Sequence, residues 1–134
     1  MLETRPELTA QLDEELVGWL TTVTPDDQPQ SSVVWFLRDA DDLLVFSRPD
    51  ATKLTNIATN PKVAFNLRGD DVADAVATFE ATAVIVDSPT PAHGNAAYLT
   101  KYREEISRLG WTQEQFSNDY SALILISVHR IRSW

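Results

Sequence analysis

The chain has 134 residues, 43% hydrophobic and 23% charged, enough for one domain with a substantial core. Its formal charge of -9 disfavours nucleic acid or an anionic membrane as partner, because phosphate surfaces select basic faces. It has no cysteine, which excludes disulfides and thiolate metal sites, and His93 and His129 lack metal-ligand spacing.

No apolar run approaches the roughly 20 residues of a membrane span. The start, Met1-Leu2-Glu3-Thr4-Arg5-Pro6, has no signal-peptide character, so a cytoplasmic protein is expected. Leu12, Leu16 and Val17 recur at helical spacing and predict a short amphipathic helix over residues 9–17. A strand is expected from Trp19 to Val23, and Pro25-Asp26-Asp27-Gln28-Pro29 is turn chemistry. Ser31 to Leu37 reads as a strand that is apolar on both faces at Val33, Val34, Trp35 and Phe36, hence covered on both sides. Arg38 to Asp42 turns the chain into a strand from Leu43 to Ser47.

Asp50 to Thr59 predicts a helix capped by Asp50, with Leu54, Ile57 and Ala58 facing the core. Pro61 ends it, Val63 to Arg68 forms another strand, and Gly69-Asp70-Asp71 is a polar turn. Ala75 to Asp87 reads as the longest strand, with a wetter face at Thr78, Glu80 and Thr82. Thr90 and Pro91 open a helix to Leu109, its first turn weakened by Gly94. Thr112 to Gln115 fits a capping box, and Tyr120 to Ile131 closes the chain as a strand. About six antiparallel strands with three or four helices make a mainly β, α+β domain, closer to a small barrel than to a doubly wound sheet.

Chemistry concentrates in Leu43-Leu44-Val45-Phe46-Ser47-Arg48-Pro49-Asp50-Ala51-Thr52-Lys53. A hydroxyl, a guanidinium and an ammonium gather where a strand gives way to a helix start, whose free N–H groups and dipole favour an anion. Pro49 holds Arg48 extended, and Asp50 would repel a phosphate unless it capped the helix. Ser47, Arg48, Thr52 and Lys53 are therefore candidate phosphate ligands, against the blander reading of a strand end and a solvated surface. On the strand before them, Trp35 and Phe36 point opposite ways, so one ring can fill the core while the other meets a ligand or partner. Trp19 and Trp111 read as core or interface. Glu80 reads as a solvated carboxylate. There is no Ser-His-Asp order or paired-carboxylate spacing, and only 4 glycines argue against a dinucleotide fold.

Gln28-Pro29-Gln30-Ser31-Ser32-Val33-Val34-Trp35-Phe36, then Leu44-Val45-Phe46-Ser47-Arg48, Lys53-Leu54-Thr55-Asn56-Ile57 and Asn60-Pro61-Lys62-Val63-Ala64 stand together in order. This combination resembles the pyridoxamine-phosphate-oxidase-like split β-barrel superfamily, and within it the deazaflavin (coenzyme F420)-dependent reductases. The resemblance implies a single split β-barrel domain over residues 1–134 that forms a homodimer with cofactor at the interface. It places the strand of Ser32, Val33, Val34 and Trp35 along the cofactor ring. Phe46, Ser47, Arg48 and Lys53 fall at the phosphate, and Trp134 from the neighbouring subunit at the ring. Ser32 stands where flavin-dependent members carry a basic residue, and Val76 where they often carry glutamine. The basic tail that binds pyridoxal phosphate is missing. These departures turn the expectation from vitamin B6 oxidation to coenzyme F420, with hydride passing to a small conjugated substrate and no catalytic side chain named. A flavin mononucleotide (FMN) oxidoreductase and a non-catalytic flavin, deazaflavin or tetrapyrrole binding protein remain alternatives.

Overall fold

The computed structural model of the protein describes residues 1–69, 72 and 76–133. A short 3-10 turn at Leu2–Thr4 leads into α1, Pro6–Glu14, which carries proline at its first turn and buries Leu8 and Leu12. This helix lies earlier than the 9–17 pattern predicts. Leu16 is exposed, because the chain is already extended at Glu15.

Seven antiparallel strands follow: β1 Gly18–Val23, β2 Pro29–Val34, β3 Leu37–Asp39, β4 Asp42–Ser47, β5 Lys62–Leu67, β6 Ala77–Ile85 and β7 Ala122–Ser133. The final strand, not β6, is the longest. They form one sheet in the order β2-β1-β5-β6-β7-β4-β3. The two edge strands, β2 and β3, are joined by only Trp35 and Phe36. Six inter-strand spacings of about 4.8 Å would part those edges by roughly 29 Å in a flat sheet. A two-residue link reaches only about 11 Å. The sheet therefore curls until its edges meet, giving a split barrel.

The core fills the barrel with Leu20, Phe36, Leu43, Val45, Phe65, Phe79, Ile124 and Ile126. Phe36 meets Phe65 edge-on at 4.9 Å. Gly18 is required where β1 crosses Phe65, since a Cβ there would run into the Phe65 ring. β2 is an edge strand with a largely exposed face, not a strand covered on both sides. Periodicity cannot distinguish a buried strand from one whose apolar face lies bare.

Four α-helices flank the sheet. α2, Thr52–Thr59, starts after Ala51, and no side chain caps it, so Asp50 is not its cap. Its buried face carries Leu54, Asn56 and Ile57, while Ala58 is exposed. The region after Pro91 makes only a 3-10 turn at Ala92–Gly94. α3 begins later, at Ala96–Arg108, where the Asn95 side chain accepts from the Tyr98 N–H at 3.0 Å. α4, Gln113–Asp119, has the predicted Thr112/Gln115 capping box.

The barrel seam is fastened from α3. The Tyr102 hydroxyl accepts from the Phe36 N–H at 2.8 Å, and its proton is shared between the carbonyls of Leu16 (2.7 Å) and Phe36 (2.9 Å). Lys101 Nζ donates to the carbonyls of Leu12 (3.0 Å) and Phe36 (2.9 Å) and lies 3.8 Å from the Phe36 ring centroid. Burial pushes the Lys101 ammonium down to about 8, against the pull of Asp13 and Glu15.

Candidate functional site

The end of β4 and the start of α2 lie beside the β2–β3 seam, and between them is a cavity of about 520 Å³. β2 and the seam contribute Val33, Val34 and Trp35. The end of β4 contributes Phe46, Ser47 and Arg48, and α2 contributes Ala51 and Lys53. The far wall was not foreseen as a site: Tyr98 from α3, Leu109 and Trp111 from the α3–α4 link, and Phe116 and Tyr120 from α4 and its end.

Local chemistry builds that wall. Gly110, at a φ of +81°, ends α3 in a Schellman motif: its N–H reaches the Ser107 carbonyl at 2.9 Å and the Trp111 N–H reaches Ile106 at 3.2 Å. This reversal brings Leu109 and Trp111 to the cavity. The capping box then fixes α4, which presents Phe116 and Tyr120 one turn apart, stacked at 4.7 Å. Trp35 lies between Tyr102 (4.7 Å) and Phe116 (5.4 Å), nearly parallel to both. The signals were present as Gly110 and the aromatic series Trp111, Phe116 and Tyr120, but by sequence Trp111 reads as core or interface, Tyr120 as the start of the last strand, and Phe116 carries no site signal.

Of the expected site residues, Val33, Val34, Trp35, Phe46, Ser47, Arg48 and Lys53 line this cavity. Ser32 and Thr52 do not. They line a smaller, hydroxyl-rich hollow of about 400 Å³ with Thr22, Gln30, Ser31 and Lys53. Lys53 borders both spaces. Buried Asn56 braces the hollow by donating to Thr22 Oγ1 and Gln30 Oε1, both at 3.0 Å. Trp134 lies outside the described residues. Phe36, the other ring of the seam, is wholly buried in the core.

The polar groups differ in what they already hold. The buried Ser47 hydroxyl donates to the Arg48 carbonyl at 3.0 Å. Arg48, about half exposed, lies 3.9 Å from Asp119 and 5.0 Å from the Tyr120 ring centroid. Lys53 has no ion-pair or hydrogen-bond partner among the described residues, and burial lowers its pKa from the ordinary lysine value. Tyr98 is wholly buried, and its hydroxyl has no partner among the described residues. Among the described residues no carboxylate and no imidazole lines the cavity. Among the described residues no cluster of His, Asp or Glu could hold a metal, and no helix is long and apolar enough to cross a membrane.

Solved structures share the fold. A conserved hypothetical protein from Mycobacterium tuberculosis superposes with a TM-score of 0.77 at 23% identity, over 97% of this chain and 83% of that one. A protein named as an F420 reductase gives 0.69 at 24% identity, over 92% and 94% of the two chains. HutZ, the haem storage protein of Vibrio cholerae, gives 0.68 at 18% identity, over 96% and 93%. No curated protein matches the sequence significantly. The family model described as pyridoxamine 5'-phosphate oxidase matches residues 4–134, and the chain belongs to that family.

Proposed function

We propose that the protein binds coenzyme F420 and acts as a reductase, passing hydride to a small conjugated organic substrate. The observation that carries this reading is Lys53, a half-buried ammonium without a partner among the described residues, standing where the aromatic cavity meets the hydroxyl-rich hollow. A charge held in this way is costly unless an anion joins it. The residues fit the cofactor in both of its parts. A cavity of about 520 Å³ walled by Trp35, Trp111, Phe116 and Tyr120 suits a flat ring. The hollow, with Ser32, Thr52, Lys53 and the uncapped start of α2, suits a phosphate.

In this reading Val33, Val34, Trp35 and Phe46 flank the ring. Ser32, Thr52 and Lys53 take the phosphate, with Arg48 nearby. Ser47 fixes the strand end through its bond to the Arg48 carbonyl. The reduced deazaflavin, when bound, supplies the hydride. The chain's own residues bind, orient and exclude water; among the described residues no carboxylate or imidazole lines the cavity to transfer a proton. The fold neighbour named as an F420 reductase is consistent with this cofactor. The haem-storage neighbour marks the non-catalytic rival.

A homodimer with the cofactor at its interface belongs to the same proposal. Val33 on β2 and its cross-strand partner Trp19 on β1 are 51% and 44% exposed. Val33 also borders the cavity, so a second subunit covering this edge strand would help close the site.

The test is equilibrium binding of cofactor-free protein to oxidised F420 and to FMN, followed by fluorescence, with Lys53→Ala alongside. F420 binding at micromolar or tighter, weaker binding of FMN, and a loss of at least tenfold in the variant are expected. Binding of FMN alone would replace the reductase reading with a flavoenzyme. Binding of neither would end the cofactor reading.

A further inference from the structure

Besides Tyr120 and the indole N–H groups of Trp35 and Trp111, four polar side chains line the aromatic cavity, and two of them are already engaged: Ser47 with the Arg48 carbonyl, and Arg48 with Asp119 and the Tyr120 ring. The remaining two are Lys53 and Tyr98. The Tyr98 hydroxyl is buried without a partner among the described residues, although its neighbour one turn along α3, Tyr102, uses its own hydroxyl fully. Around Tyr98 there are rings: Phe46 edge-on at 4.9 Å, Tyr102 at 4.9 Å and Phe116 at 6.0 Å. Packing among these rings holds the Tyr98 side chain out of reach of bulk water. A buried hydroxyl without a partner is rare in a folded protein, and it ordinarily marks a group whose partner arrives later.

We propose that Tyr98 is a ligand-recognition residue, whose hydroxyl donates a hydrogen bond to a carbonyl or ring-nitrogen acceptor on the edge of the planar molecule held in this cavity. The inference rests on the reading of the cavity as a ring-binding site and adds a requirement to it. The ligand carries an acceptor for Tyr98 as well as an anion for Lys53. Burial raises the Tyr98 pKa well above that of an ordinary tyrosine, so the hydroxyl keeps its proton and remains a donor at any physiological pH. A planar hydrophobe without an acceptor would leave the hydroxyl unsatisfied and bind less well.

The experiment compares wild type with Tyr98→Phe in two measurements: thermal melting without ligand, and fluorescence titration with oxidised F420 and with FMN, whose rings both carry carbonyl oxygens. The variant is expected to melt at or above the wild-type temperature, because it discards a group with no partner. It is expected to bind whichever compound the wild type binds about tenfold more weakly, the equivalent of about 1.4 kcal/mol. Affinities within twofold of each other would overturn the role of Tyr98 while leaving the cofactor reading intact. A ligand-free variant melting several degrees below wild type would also overturn it, by showing that the hydroxyl has a partner within the protein. A wild type that binds neither compound would overturn both.

Discussion

Tyr102→Phe tests how the barrel is closed. The substitution keeps the ring, which stacks on Trp35 at 4.7 Å, and removes only the oxygen. That oxygen is the acceptor for the Phe36 N–H at 2.8 Å, in a residue that is wholly buried. The Phe36 carbonyl keeps Lys101 Nζ at 2.9 Å, and the Leu16 carbonyl can turn to water because Leu16 is 40% exposed. The cost is therefore chiefly one orphaned buried amide, about 1–3 kcal/mol, with a smaller term for the Leu16 carbonyl. For a domain of this size each kcal/mol lowers Tm by about 3–5 °C, so a fall of roughly 3–15 °C is expected. Urea unfolding at neutral pH measures the loss directly, with an unchanged m-value showing that the folded state is otherwise intact. The same substitution at Tyr98, one turn earlier and equally buried, is expected to cost nothing. A loss below about 0.5 kcal/mol at Tyr102 would refute the reasoning, since it would mean that the seam amide finds another acceptor.

Gly18→Ala would force the Phe65 ring from its contact with Phe36, and such overpacking costs about 1–3 kcal/mol, read as a lower urea midpoint. Lys101, with its pKa lowered from 10.5 to about 8, binds fewer protons folded than unfolded between those values, so stability rises with pH through that window and this gain is lost as pH falls through about 8. After allowing for its partial exposure the gain is about 1–2 kcal/mol. Unfolding at pH 7.5 and 9.5 should show it in wild type and not in Lys101→Met, and equal slopes in the two proteins would sink the assignment. Working below pH 10 keeps the unfolded-state tyrosines from reversing the sign.

The sequence made the strand–turn–helix passage around Ser47 to Lys53 legible, because Pro49, Pro61 and the apolar runs punctuate it locally. The Thr112/Gln115 box was legible for the same reason. The fate of β2 was not. Its apolar residues were compatible with burial on both sides, and only the strand order shows it at an edge, with Val33 exposed. Asp50 looked like a cap by residue type, yet Ala51 occupies that position: its N–H closes a turn on the Arg48 carbonyl at 3.2 Å, with Pro49 and Asp50 inside the turn. The aromatic wall of the site lay furthest from view. Tyr98, Trp111, Phe116 and Tyr120 come from 45 or more positions beyond Lys53 in sequence, and it is the long-range pairing of β7 with β4, Ser47 opposite Ala122, that sets the end of α4 beside the end of β4.

The same wall decides which cation is poised for an anion. Tyr102, Trp35, Phe116 and Tyr120 stack in succession at 4.7, 5.4 and 4.7 Å, and the Arg48 guanidinium ends the series over Tyr120 at 5.0 Å. Arg48 also has Asp119 at 3.9 Å, although an exposed pair at that distance contributes about 1 kcal/mol at most. To hold a phosphate it would have to leave these contacts, giving up about 0.5–1 kcal/mol at the ring as well. Lys53 gives up nothing of the kind. It is half-buried and without a carboxylate, so an arriving anion relieves a desolvation cost that the ligand-free protein already bears. Under the proposed reading the two cations divide their roles: Arg48 closes one end of the aromatic wall that a ring would lie against, and Lys53 would provide the charge for an anion attached to that ring.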